Sequence, residues 1–266
     1  MSHGDEEGRP VPAELRGYLE EVVRRVRAVC GARAVSVLAV GSVALGDYRH
    51  GRSDVDVVVV VEPGPPEAAL RELAAALDHR RLPCPAAGLE LVLYDADFAG
   101  RPSGGAGYLL NLNTGALLTE RADRDPAGAE AFWFVVDRSI AHRAGITLWG
   151  APARRSIAEP APAELFAALR AGVREHAEGA GHLADNRVLN GCRAVVFCRT
   201  GRWVAKRAAA RETAAAEPGF RPLLEAALRS FERPRAEAAA LPPAEVAEFL
   251  AWAGERVEET ASAAGA

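Results

Sequence analysis

Lysine is nearly missing from this chain of 266 residues: among its 32 lysine and arginine side chains, only Lys206 is a lysine. Where arginine serves for every other cation, a retained lysine points to a compact charge that can follow phosphate oxygens as bonds change, where arginine offers a rigid fork. A chance surface lysine is the plainer alternative. Long apolar runs are missing too, and no stretch of about 20 apolar residues is available to cross a bilayer as a helix. The first twelve residues, MSHGDEEGRPVP, are polar and acidic, unlike a signal sequence, so a cytoplasmic protein is expected. Cysteines are few and scattered, at Cys30, Cys84, Cys192 and Cys198, with no CxxC pair. That spacing speaks against a zinc knuckle or a disulfide framework and suits reduced, buried thiols. Positive charge is not in excess. A net charge of −4 argues against a dedicated nucleic-acid binder, whose affinity rests on clustered arginine and lysine, and is compatible with a cationic ligand.

What is present is the composition of a globular protein, 49% hydrophobic and 26% charged, with enough length for one large domain or two ordinary ones. The most informative stretch is VLAVGSVALGDYRHGRSDVDVVVVVE, residues 37–62. It reads as a strand over residues 34–40, a Gly41-Ser42 break with a short helix starting near Val43, a polar loop, and a second strand. The valine run from Val57 to Val61 suits a strand buried on both faces. Asp54 and Asp56 stand at its entrance and, two apart, share one face. Their Cα atoms would lie roughly 6–7 Å apart, which lets both carboxylates lean on cations held between them, as paired catalytic metals about 3.5–4 Å apart require. Salt bridging at a solvated strand end is the alternative. Free backbone N–H groups at the Gly41-Ser42 turn could receive a triphosphate, joined by magnesium to Asp54 and Asp56. A P-loop reading fails, because Asp47 follows Gly46 where that motif needs lysine.

Gly41-Ser42, Gly46 and Ser53-Asp54-Val55-Asp56 followed by valines resemble the signature of the DNA polymerase β-type nucleotidyltransferase superfamily. The resemblance implies nucleotide phosphates on Gly41, Ser42 and Ser53 and two magnesium ions on Asp54 and Asp56. A third acid stands in GLELVLY, residues 88–94, where Glu90 interrupts an apolar strand. Such an acid is either ion-paired or placed for chemistry. In the superfamily an acid at this place touches metal or accepts the proton of an attacking hydroxyl, so Glu90 is expected to act as both base and metal ligand.

Helical spacing covers residues 12–30 (Leu15, Leu19, Val22, Val26), residues 65–78 and residues 130–143. RPSGGAGYLLNLNTGAL, residues 101–117, reads as a glycine-rich flap followed by a short apolar segment. A last short strand over residues 145–150 and a proline-rich linker place a domain boundary near Ala158, dividing the chain into residues 1–157 and 158–266. Everything after it is helical, with helices at residues 164–176, 185–198, 203–215, 222–231 and 243–257. The fold class is therefore α+β, a mixed sheet with flanking helices followed by an all-α bundle.

NRVLNGCRAVVFCRTGRWVAKRAAA, residues 186–210, resembles the helical domain of the aminoglycoside 3''- and 9-adenylyltransferases. HRAGITLWGAP before the linker resembles the end of that family's first domain. The resemblance implies an adenylyltransferase that moves AMP from ATP to a hydroxyl of a small cationic acceptor, an aminoglycoside or aminocyclitol antibiotic. It places Arg193 and Lys206 beside the nucleotide phosphates. Asp185 and Glu178 are candidates for the acceptor's ammonium groups or hydroxyls, with a helix N-cap as the other role for Asp185. Acids should then outnumber bases on the helical side of the cleft. The partners expected are ATP and the small cationic acceptor, with no membrane and no nucleic acid, and the protein is expected to be a monomer. Two other readings stay open: the same chemistry on a protein or tRNA hydroxyl, and a catalytically silent nucleotide-binding protein.

Overall fold

A computed structural model describes residues 10–179, 183–263 and 265, so the expected first domain's opening nine residues lie outside the described residues. Pro12 precedes α1 (Ala13–Cys30), which buries Leu15, Leu19, Val22 and Val26 along one stripe and stops at Gly31. There follow β1 (Ala34–Ala39), α2 (Gly41–Leu45), β2 (Val55–Val61), α3 (Glu67–Leu77) and β3 (Leu89–Asp95). Next come α4 (Ala96–Ala99), β4 (Leu110–Thr114), β5 (Arg121–Asp123), α5 (Ala131–Ala144), β6 (Ile146–Gly150) and α6 (Ala153–Ser156). Beyond α6 the described chain is helical: α7 (Pro162–Glu178), α8 (Ala184–Thr200), α9 (Lys206–Ala216), α10 (Arg221–Phe231) and α11 (Pro243–Ala263).

The strands form one mixed sheet in the order β5-β4-β3-β2-β1-β6. Only the β2–β3 pair is parallel among these strands. Its central position explains the valines. Val55, Val57, Val59 and Val61 enter a core with α1 and α3, while Val58 and Val60 enter another with α4, α5 and α6. A strand covered on both faces has no polar side, so it reads as a continuous apolar run. Asp56 lies on the same side as Val58 and Val60, facing α5.

Helix α5 joins the two halves of the molecule. Phe134 and Ala141 pack into the sheet core, whereas Phe132 and Val135 pack with residues of α7, α8 and α11. A helix apolar on two sides must be buried between layers.

The stretch expected as a flap is differently built. Its second half is strand β4, which pairs antiparallel with β3 from Leu89↔Thr114 to Leu93↔Leu110. Its first half is pinned from below. The buried Arg138 donates to the carbonyls of Ser103 (2.5 Å) and Gly105 (3.0 Å), and its guanidinium lies 4.7 Å over the Phe98 ring. Strand β5 gave little sequence signal, being three residues long with two of them charged. Asp95 acts locally: its carboxylate accepts from the Phe98 N–H at 2.7 Å and caps α4.

Candidate active site

The parallel register places Asp56 directly opposite Glu90. Neighbouring strands lie about 4.8 Å apart, and opposed residues point to the same face. Asp54 precedes the strand by one residue, so three carboxylates from two adjacent strand entrances stand on the α5 side of the sheet.

Against them sits the turn into α2. Gly41 has φ +55°, and a Cβ there would come 1.8 Å from Asp56 Oδ2. Only glycine both adopts this backbone conformation and lets the carboxylate approach so closely. The Ser42 backbone N–H donates to the Asp56 carboxylate. The buried Ser42 hydroxyl has no hydrogen-bond partner among the described residues. Ser53 is buried as well, and its hydroxyl accepts from the Arg49 N–H at 3.1 Å, which leaves its own hydrogen to donate.

A fourth acid, Asp137, comes from α5. Sequence reasoning passed over it, although an acid inside the apolar run FWFVVD was the available signal. Burial, then Asp54 and Asp137, raises the Asp56 carboxyl to about 8. Burial, then Asp54, Asp56 and Asp137, raises Glu90 well above the ordinary carboxylate range. Burial lifts Asp137 to about 6, against the pull of Arg193 and Lys206.

The helical half supplies the cations. Lys206 opens α9, donates from Nζ to Asn186 Oδ1 at 2.7 Å, and is lowered to about 8 by burial and by Arg193. Arg193 projects from α8 with its guanidinium 5.9 Å from the Trp203 ring centre, and burial lowers its pKa against the opposing pull of Asp137, Asp56 and Asp47. Arg235, in the turn after α10, reaches Asp54 Oδ2 at 3.4 Å. Four acids sharing one low-dielectric face are costly unless cations complete the arrangement, and such clusters mark functional sites.

The loop between α2 and β2 carries this face onto the helical half. Buried Asp47 pairs with Arg207 and accepts from its backbone N–H at 3.2 Å, and Arg49 Nη2 donates to the Glu232 carbonyl at 2.9 Å. Arg52 meets Asp185 at 2.7 Å, with the side chains 4% and 0% exposed. The second Asp185 oxygen accepts from the Ser230 hydroxyl at 2.5 Å. This corrects the expectation for Asp185. It is closed off from solvent with both oxygens engaged, so it is a tie between the halves, neither an acceptor contact nor the N-cap of α8, which is Leu183. Glu178 is exposed at the C-terminal end of α7. The leading charges from the helical half that act on Asp56, Glu90 and Asp137 are Arg193, Lys206 and Arg235.

The donors fit a hard divalent cation, because they are carboxylate oxygens gathered in a largely buried cluster of like charge. Among the described residues no three acidic, histidine or cysteine side chains form a finished metal cage. The orphaned Ser42 hydroxyl and the Gly41 turn beside it fit a phosphate oxygen.

Residues 15–89 match the nucleotidyltransferase domain, and residues 157–255 match the C-terminal domain of aminoglycoside adenylyltransferases. The chain is an aminoglycoside adenylyltransferase-like nucleotidyltransferase. No curated protein matches it by sequence. Among solved structures, this nucleotidyltransferase is similar to the spectinomycin adenyltransferase AAD(9) from Enterococcus faecialis, solved with ATP and spectinomycin. The TM-score is 0.67 over 91% of this chain and 99% of that one, at 14% identity, a likeness of fold. Among the described residues no helix is long and apolar enough to cross a membrane.

Proposed function

We propose that the enzyme transfers AMP from ATP to a hydroxyl of an aminoglycoside or aminocyclitol. The observation that carries adenylyl transfer is the register of Asp56 on Glu90, with Asp54 beside them and with Arg193 and Lys206 opposite. In this reading the triphosphate rests on the backbone at Gly41 and Ser42, with the Ser42 and Ser53 hydroxyls donating to phosphate oxygens. Magnesium, two ions held by Asp54, Asp56 and Glu90, would neutralise the phosphate oxygens and hold them in place. Lys206 and Arg193 supply fixed positive charge where the transferring group and leaving pyrophosphate gain negative charge. Glu90, whose burial and acidic neighbours favour a bound proton, takes the proton from the acceptor hydroxyl as that oxygen attacks the α-phosphate in line.

The acceptor assignment draws on the family of the C-terminal match and on the spectinomycin bound to the similar structure. The second acceptor class is a tRNA hydroxyl, reached by the same chemistry; Arg193 and Lys206 serve the nucleotide phosphates in either reading. The test is an acceptor panel of spectinomycin, streptomycin, other aminoglycosides and tRNA, incubated with ATP and magnesium. Mass spectrometry of each acceptor is the readout. AMP on an aminocyclitol or aminoglycoside hydroxyl supports the first reading, AMP on tRNA the second, and pyrophosphate release with neither sends the search to protein hydroxyls. No AMP transfer and no pyrophosphate release would leave the silent nucleotide binder.

A further inference from the structure

Arg235 is the side chain that meets Asp54 from the helical half. It lies in the short 3₁₀ turn Arg235–Glu237 between α10 and α11, and its Nη2 stands 3.4 Å from Asp54 Oδ2. The segment that carries it is strapped to the loop leading into Asp54. The Arg235 N–H donates to the Gly51 carbonyl at 3.4 Å, and Arg49 Nη2 donates to the Glu232 carbonyl at 2.9 Å. Two backbone attachments therefore bring one guanidinium to one carboxylate across the cleft. The same charge also draws Glu90 toward its ionised form against three acidic neighbours.

A divalent cation and a guanidinium placed against the same Asp54 oxygen compete for one negative charge and repel each other. We propose that Arg235 is a placeholder cation: it holds Asp54 in the nucleotide-free enzyme and must let go when a divalent ion takes that carboxylate. The proposal rests on the nucleotidyl-transfer reading, because it takes Asp54 for a metal ligand. Its consequence is ordered loading. The bare ion meets an occupied carboxylate and binds weakly, and the ion arriving with a triphosphate, which brings its own oxygen ligands, binds well. The Arg235–Asp54 contact is a modest obstacle, because both side chains are partly exposed, 31% and 23%. Exposed pairs of this kind are worth at most about fivefold in an equilibrium constant.

The experiment measures Mn²⁺ binding by electron paramagnetic resonance, with Mn²⁺ as the spectroscopic substitute for magnesium. Free wild-type protein, Arg235→Gln and Arg235→Lys are compared without nucleotide and again with ATP. Without nucleotide, Arg235→Gln should bind Mn²⁺ about two- to fivefold more tightly than wild type, with Arg235→Lys near wild type. Unchanged or weaker binding by Arg235→Gln overturns the proposal while leaving the enzyme reading intact. Absence of Mn²⁺ binding by wild type even with ATP overturns both. Hydrogen exchange on the wild type gives an answer that needs no variant. Exchange in residues 232–237 should rise when Mn²⁺ and ATP are added, and unchanged exchange there contradicts release of the strap.

Discussion

The sheet half and the helical half bring opposite charge to one cleft and are built by different rules. On the sheet side, position is set by backbone register: β2 and β3 hold Asp56 against Glu90 whatever their side chains do. On the helical side, Arg193, Lys206 and Arg235 come from three separate elements and reach the acids on long side chains. The first arrangement is rigid and crowded with like charge. The second is adjustable and depends on how the halves are tied, through Arg52–Asp185, Arg207–Asp47 and Arg49 on the Glu232 carbonyl. Precise placement of reacting groups thus falls to the sheet, while charge compensation falls to the helices.

The largest effect should come from the sheet side. Glu90→Gln removes the proton acceptor without moving the backbone, and should lower kcat by about 10²- to 10⁴-fold while ATP binding, followed by equilibrium dialysis, persists. Cutting the tie between halves comes next. Arg52→Ala strands the Asp185 charge among buried groups and should cost about 3–5 kcal/mol in urea unfolding. Lys206→Met should lower kcat by about 10²- to 10³-fold, by removing charge aimed at the phosphates. If Lys206→Arg keeps the full rate, the argument from the chain's single lysine is wrong.

The pH dependence of stability separates the halves further. Asp56 has a folded-state pKa of about 8 and Glu90 is also raised, so both bind protons more readily folded than unfolded. Their contribution is complete below about pH 4 and is lost as pH rises toward about 8. Lys206 works in the opposite sense, but only above its folded-state value of about 8, because below it the group is protonated folded and unfolded alike. Thermal unfolding of the metal-free protein should therefore show Tm falling from pH 5 to pH 8, and magnesium with ATP should flatten that slope. The smallest effect belongs to exposed Glu178, where Glu178→Ala should change stability by less than about 0.5 kcal/mol and leave the acceptor KM unchanged.

The two halves also differed in how much of them could be read from sequence. The acids on β2 and β3, the Gly41-Ser42 turn and the valine strand were legible, because period-two alternation and a short spacing determine which side chains share a face. Arg193 was reached only through resemblance to a family, whereas Lys206 also stood out as the chain's one lysine. Asp185 misled: beside a well-matched helix it read as a ligand contact, yet the fold buries it on Arg52, a partner 133 residues away. No local pattern reports such a pairing. Arg235 was missed for the same reason, whereas Asp137 carried a local signal, an acid inside the apolar run FWFVVD, that was passed over. Strand β4 was read only as a short apolar segment because its alternation, LNLNT, is brief and follows a glycine-rich stretch.

Asp54 and Asp56 stand crowded at one strand entrance as ligands for bound cations, at the expense of the fold. Both are best tested in one protein, Asp54→Asn/Asp56→Asn, assayed for magnesium-dependent pyrophosphate release from ATP alongside its Tm at pH 8. Release should vanish while Tm rises, because two crowded acids have been removed from a largely buried cluster. Release that persists, with its magnesium dependence intact, would contradict that role.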